Sequence, residues 1–214
     1  MSRFLAPIHT WLFNKINLAQ DLEIKIVKLH GDKFKEEAIN IEKEAISLYG
    51  DYIPNKPIEE LIDVDNIHGW LQDKIKVVES RSSYVITKYF DLYKEGSKIL
   101  TESAYINQAK ECASEGENKI DSPQDVYTSL NNYILCGMPC DRVNSIINQN
   151  EEHISYKQNK NIHEANYKLG NANLEYMYQL REIWIKTFIE NLNQKYKYLN
   201  VSEDETTVCK IIKN

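Results

Sequence analysis

Three of the five histidines occur in the dipeptide Ile-His, at His9, His68 and His163. On helical spacing His9 shares a face with Leu12, Phe13 and Ile16, and His68 shares one with Leu71 and Ile75. These are core-facing places, unlike those of ordinary solvent histidines. Neutral imidazole is the commonest metal ligand, and helical bundles build metal and cofactor sites from inward side chains on facing helices. Three such rings hold a divalent ion, Zn²⁺ or Fe²⁺, with a position left vacant for water or a small molecule. A haem ligand is a further use of the same chemistry. The plainer use is a hydrogen bond within the core, which needs no ligand at all. No HExxH, HxxxH or Glu-x-x-His spacing occurs, so a carboxylate-rich di-iron site is disfavoured.

A second pattern lies just beyond His163. His163, Asn166, Gly170, Asn173 and Met177 recur at helical spacing and form one stripe. Facing inward, it lines a polar cavity in which Asn166 and Asn173 contact a substrate and Gly170 admits a ligand or a neighbouring helix. Facing outward, it is a solvated surface, and the opposite stripe through Ala165, Leu169 and Leu180 is the buried one. Trp11 and Trp70 sit early in their helices, where large rings fill space between helices or wall a cofactor site. Cys140 follows Pro139 in the first turn of an expected short helix, where unpaired N–H groups favour a thiolate. That makes it a candidate nucleophile or fourth ligand. Cys136, four residues earlier, is close enough in chain for a disulfide, although two ordinary thiols around a turn is the simpler reading.

These residues need helices to position them, and helix punctuation is plain. Pro7 opens a helix ending near His30-Gly31, and a second ends at Gly50. Asn66 caps a long helix to about Glu95, with a break at Gly96. Another runs from about Lys98 to Ser114, and Ser122-Pro123 opens one that reaches Cys136. The longest is expected from about Lys157 to Tyr198. Residues 200–214 read as an irregular or strand-like tail. Residues 8–16, IHTWLFNKI, match residues 67–75, IHGWLQDKI, at six of nine positions. The match points to a duplicated helical unit, about 7–64 and 66–135. The expected architecture is therefore all-α, a single bundle of long antiparallel helices over residues 1–199.

At the scale of the chain, 214 residues with 42% hydrophobic and 27% charged side chains suffice for a real core. The net charge of −6, with no basic run longer than two, argues against nucleic-acid binding. No stretch nears the roughly 20 apolar residues of a membrane span. The N-terminus lacks the pattern of a signal peptide, so the four cysteines read as reduced thiols in the cytoplasm. Phosphate-cradling glycine loops and serine-hydrolase patterns are missing. The leading expectation is a helical bundle with a buried metal, cofactor or small-molecule site. The alternatives are an interaction or regulatory protein without metal, binding another protein or itself as a homodimer, and a binder of an apolar small molecule.

Overall fold

Pro7 supplies the fixed φ of a first helical turn, and from it α1 (Pro7–Phe34) runs straight past Gly31. Its partner α3 (Ile67–Tyr93) is capped by Asn66, whose Oδ1 accepts from the Gly69 N–H at 3.1 Å. Neither helix stops at the glycine that its sequence offers. Each ends instead at a lysine with positive φ, Lys35 (61°) and Lys94 (46°), a conformation costly for a residue with a Cβ. Helices α2 (Glu36–Tyr49) and α4 (Glu95–Glu115) begin at the next residue. The computed structural model describes residues 5–116, 119–203 and 206–214. The first four residues of the apolar opening lie outside these.

Side chains between α1 and α3 meet at a nearly constant sequence separation. It is 59 for His9–His68 and 58 for Glu23–Arg81. It is 59 again for the ring pairs His30–Tyr89 and Phe34–Tyr93. The two helices therefore run parallel and in register along their whole length. This differs from the expected antiparallel neighbours because the chain returns between them through α2 and the loop at 50–66. Helix α2 lies antiparallel to α3, with Tyr93 Oη donating to Glu37 (2.9 Å) and Tyr89 Oη to the Ala38 carbonyl (3.0 Å). Leu12, Ile16 and Ile26 of α1 are buried with Leu71, Ile75, Val85 and Ile86 of α3. Burial of each such side chain stabilises by roughly 1.5–3 kcal/mol.

Within this core Arg81 is fully buried, and all five of its N–H groups find acceptors. Nε and Nη2 donate to the Glu23 carboxylate at 2.7 and 3.1 Å, and Nη1 to the carbonyls of Gly50 and Asp51 at 2.8 and 2.9 Å. Nη2 also reaches Gln20 Oε1 at 3.4 Å. Gln20 in turn pairs both ways with the Ile53 backbone. One guanidinium thus ties α1 and α3 to the loop that follows α2, with no donor left over.

The chain divides into two compact units, residues 1–104 with 163–177, and residues 105–162 with 178–214. The first holds α1, α2, α3, the start of α4 and a short α6 (Glu164–Leu169), which packs on α3. The second holds the rest of α4, α5 (Pro123–Tyr133), most of α7 (Leu174–Leu192) and a four-stranded antiparallel sheet. Its strands are β1 (Asn144–Gln149), β2 (His153–Gln158), β3 (Tyr196–Glu203) and β4 (Thr206–Lys213), in the order β1-β2-β4-β3. Ser122 closes a capping box with Asp125 at the start of α5, as the Ser-Pro pair implies. Val126 and Leu130 of α5 are buried in this unit along with Ile154 and Ile211 of the sheet.

Helices dominate, but the sheet departs from an all-α architecture. The expected helix from Lys157 to Tyr198 is instead a strand end, a polar linker, α6, a turn and α7, and then β3. Asn171 marks the turn, with φ of 54°. Gly170 sits so close to α3 that a Cβ there would lie 2.6 Å from the Tyr84 nitrogen and 2.7 Å from the Ser80 carbonyl.

Candidate functional site

The two histidines of the repeated nonapeptide face each other. His9 Nε2 and His68 Nε2 are 3.3 Å apart, with ring centroids 5.4 Å apart and planes inclined by 59°. His9 is half-buried and His68 exposed, so solvent reaches the pair. His9 Nδ1 is buried and makes no hydrogen bond among the described residues. The register of α1 against α3 causes the meeting, since each ring sits in the first turn of its helix. Trp11 and Trp70, at matching positions of the two nonapeptides, are half-buried, and each is covered by the lysine four residues on. Lys15 Nζ lies 3.5 Å from the Trp11 centroid, and Lys74 Nζ 5.4 Å from that of Trp70. These are cation–π contacts within one helix, and the Trp70 ring also packs on Phe13 of α1, with centroids 5.8 Å apart.

His163 does not join them. It is fully buried at the start of α6, with Nδ1 2.6 Å from Glu79 Oε1. Glu79 is eleven residues beyond His68 on α3, about three turns or 16 Å along the axis. The three imidazoles therefore do not converge, which corrects the expected His9–His68–His163 ligand set. Among the described residues no group of three His, Cys, Asp or Glu side chains is placed to hold a metal ion. Asn166 Nδ2 donates to the other Glu79 oxygen at 2.7 Å, so Glu79 orients His163 and Asn166 together and fastens α6 to α3.

The polar stripe faces inward only in part. His163 and Gly170 are buried and Asn166 half-buried against α3, but Asn173 is exposed. Its Oδ1 caps α7 by accepting from the Tyr176 N–H at 3.0 Å. Gly170 admits the α3 backbone. Leu169 on the opposite stripe is exposed, so that stripe is not the sole buried face.

Cys140 is exposed in a three-residue 3₁₀ turn, Pro139–Asp141, ended by Arg142 in the left-handed conformation. No helix follows, so the helix-terminus field expected to activate its thiol is missing. Asp141 Oδ2 accepts from the Met138 N–H at 2.8 Å and closes the turn. His30, which reads as a surface histidine beside Gly31, is wholly buried. It is stacked on Tyr89 at 4.0 Å and bonded to the Ile26 carbonyl (2.8 Å) and Ser97 Oγ (2.9 Å). Burial holds its imidazole below the ordinary value.

Sequence reasoning missed a cluster in the second unit. Arg181 Nη2 on α7 donates to Cys136 Sγ at 3.4 Å and to the Leu135 carbonyl at 3.0 Å. Tyr198 Oη on β3 donates to Cys209 Sγ on β4 at 3.1 Å. Tyr156 on β2 is paired with Cys209 across the sheet, and its ring lies 4.8 Å from that of Tyr127 on α5. The available signal was the alternation in TTVCKIIK and YKYLNV, which puts Cys209 and Tyr198 on one face once both segments are strands. Set against protein-family models, curated proteins and solved structures, the chain matches none of them, so no activity is carried over from a relative.

Proposed function

We propose that the protein binds a divalent transition-metal ion between His9 and His68, with its remaining coordination positions open to water or a small ligand. What supports this reading is the 3.3 Å between the two Nε2 atoms. Two imidazole nitrogens at zinc–nitrogen distances of 2.0–2.1 Å on a tetrahedral ion stand about 3.3–3.4 Å apart. Both rings offer the same nitrogen, and one edge of the pair is exposed. With only two protein ligands, the site is open, like catalytic and transport sites, and unlike a closed structural one. Imidazole donors suit Zn²⁺, Cu²⁺ and Ni²⁺ better than Mg²⁺ or Ca²⁺.

The site also has a rationale in the chain's construction. Segments 7–64 and 66–135 derive, on this reading, from one duplicated helical unit, each copy giving one histidine to a shared axis. The spacing of the nonapeptides equals the separation at which α1 and α3 side chains meet. Lys35-Glu36 and Lys94-Glu95, one spacing apart, make the same break between helices.

Equilibrium dialysis of the full chain against Zn²⁺ tests the function. The expected result is about one ion per chain, lost in His9→Ala and His68→Ala and kept in His163→Ala. Affinity weakens as pH falls, because a ligating nitrogen must be deprotonated. Zinc retained by a folded His9→Ala/His68→Ala variant contradicts the proposal.

A further inference from the structure

We infer that the chain exchanges α1 with a second copy of itself, by straightening at Lys35, to form a dimer in which α1 and α2 run on as one helix. The exchange does not rest on the metal reading, and it sets His9 of one protomer against His68 of its partner.

The connection from α1 to α2 is a single residue, Lys35, between Phe34 and Glu36. Because α1 runs parallel to α3 and α2 antiparallel to it, the chain reverses direction there. Antiparallel helices are ordinarily joined by a loop of roughly 2–5 residues. Lys35 makes the reversal alone, at φ 61° and ψ −134°, a conformation that suits glycine and strains a residue with a Cβ. The reversal also leaves α2 with no side-chain cap, so the N–H groups of Glu36, Glu37 and Ala38 find no acceptor within their own helix. Nothing in the local sequence requires the break. No Pro or Gly interrupts residues 32–49, and Lys33, Lys35, Glu36, Glu37 and Ala38 are good helix formers. Carried on as one helix, the segment returns Lys35 to an ordinary φ. It also offers those three N–H groups the carbonyls of Asp32, Lys33 and Phe34.

Within one chain, straightening would strip α1 from α3 and strand Arg81 without Glu23. A second copy removes that cost. Each α1 then lies on the α3 of the partner, and its bonds are made again between chains: Glu23 with Arg81, Gln20 with the Ile53 backbone, and His30 with Ser97. The two forms then differ chiefly at the hinge, and a short hinge under strain favours exchange. The same kind of break recurs at Lys94, with φ of 46°. There Gly96 lies two residues on and disfavours a helix carried through it. The exchange therefore belongs to Lys35.

The experiment refolds the full-length protein from urea, without metal, at about 10 μM and about 300 μM and sizes it by chromatography with light scattering. The expected result is a species of twice the chain mass whose share rises with concentration. Equal amounts of unlabelled and ¹⁵N-labelled chains are then refolded together, and the dimer is treated with an amine cross-linker. Lys28 of α1 and Lys88 of α3 lie near one level in the helix register, and about half of their links are expected to join chains of different mass. Lys35→Gly relieves the strain in the monomer and weakens the continuous helix, so the dimer dissociation constant rises about a hundredfold. Lys35→Ala keeps both the strain and the helix propensity and dimerises at least as well as the wild type. A protein that stays monomeric at both concentrations overturns the inference. So does a dimer whose Lys28–Lys88 links join only chains of equal mass, or a Lys35→Gly variant that dimerises like the wild type.

Discussion

Single residues carry more of this protein's organisation than its motifs do. Arg81 is the clearest case, because a buried guanidinium is tolerated only when every donor is met. Burial pushes the Glu23 carboxyl up to about 7, while the two bonds from Arg81 pull it back toward the ionised form. Removing one partner strands the other, so Glu23→Ala is expected to cost about 3–5 kcal/mol in urea unfolding. His30 adds a dependence on pH. Its folded imidazole titrates below the ordinary 6.5, so the unfolded chain binds a proton that the folded chain refuses. Stability is fully present above that value and falls as pH drops through it toward the folded pKa. Comparing unfolding free energies at about pH 7.5 and 5.5 checks this, and His30→Gln is expected to flatten the difference. Neither residue was legible from sequence. Arg81 sits among three serines and one glutamate that look solvated, and His30 beside a glycine that imitates a helix end.

At the scale of elements, the punctuated helices were readable, and of the strands only the tail over 200–214, which holds β4, read as strand-like. Pro7, Asn66 and Ser122-Pro123 announce helix starts through local chemistry that survives folding. The helix ends at Lys35 and Lys94 were hidden, because positive φ at lysine has no sequence signature. Strands β1 and β2 were hidden for another reason. Their turn is built on Asn150, whose Oδ1 accepts from the N–H groups of Glu152 and His153 at 2.9 Å, and asparagine is too frequent in this chain to stand out. Gly170 marks where a helix-poor segment has a structural purpose. Gly170→Ala must push α6 from α3, because the nearest α3 groups include backbone that cannot swing aside. A loss of about 1–3 kcal/mol is expected by thermal or urea unfolding, without effect on zinc binding at His9 and His68.

For the whole molecule, the two units divide the chemistry between them. The first sets the imidazoles of His9 and His68 against each other, and the second puts a guanidinium on the Cys136 sulfur and a phenol on the Cys209 sulfur. Among the described residues no helix is long and apolar enough to cross a membrane. The histidines themselves were legible as a recurring Ile-His pair. Their grouping was not, because spacing along a chain does not tell whether helices run parallel. Register decided it, pairing His9 with His68 and leaving His163 to Glu79. The most direct test of the central claim is X-ray absorption at the zinc edge on the loaded full-length protein. The account predicts two imidazole nitrogens at about 2.0–2.1 Å with light oxygen ligands completing the shell, and loss of both imidazoles in His9→Ala/His68→Ala. An all-oxygen shell in the wild type, or an imidazole count unchanged in that variant, would contradict it.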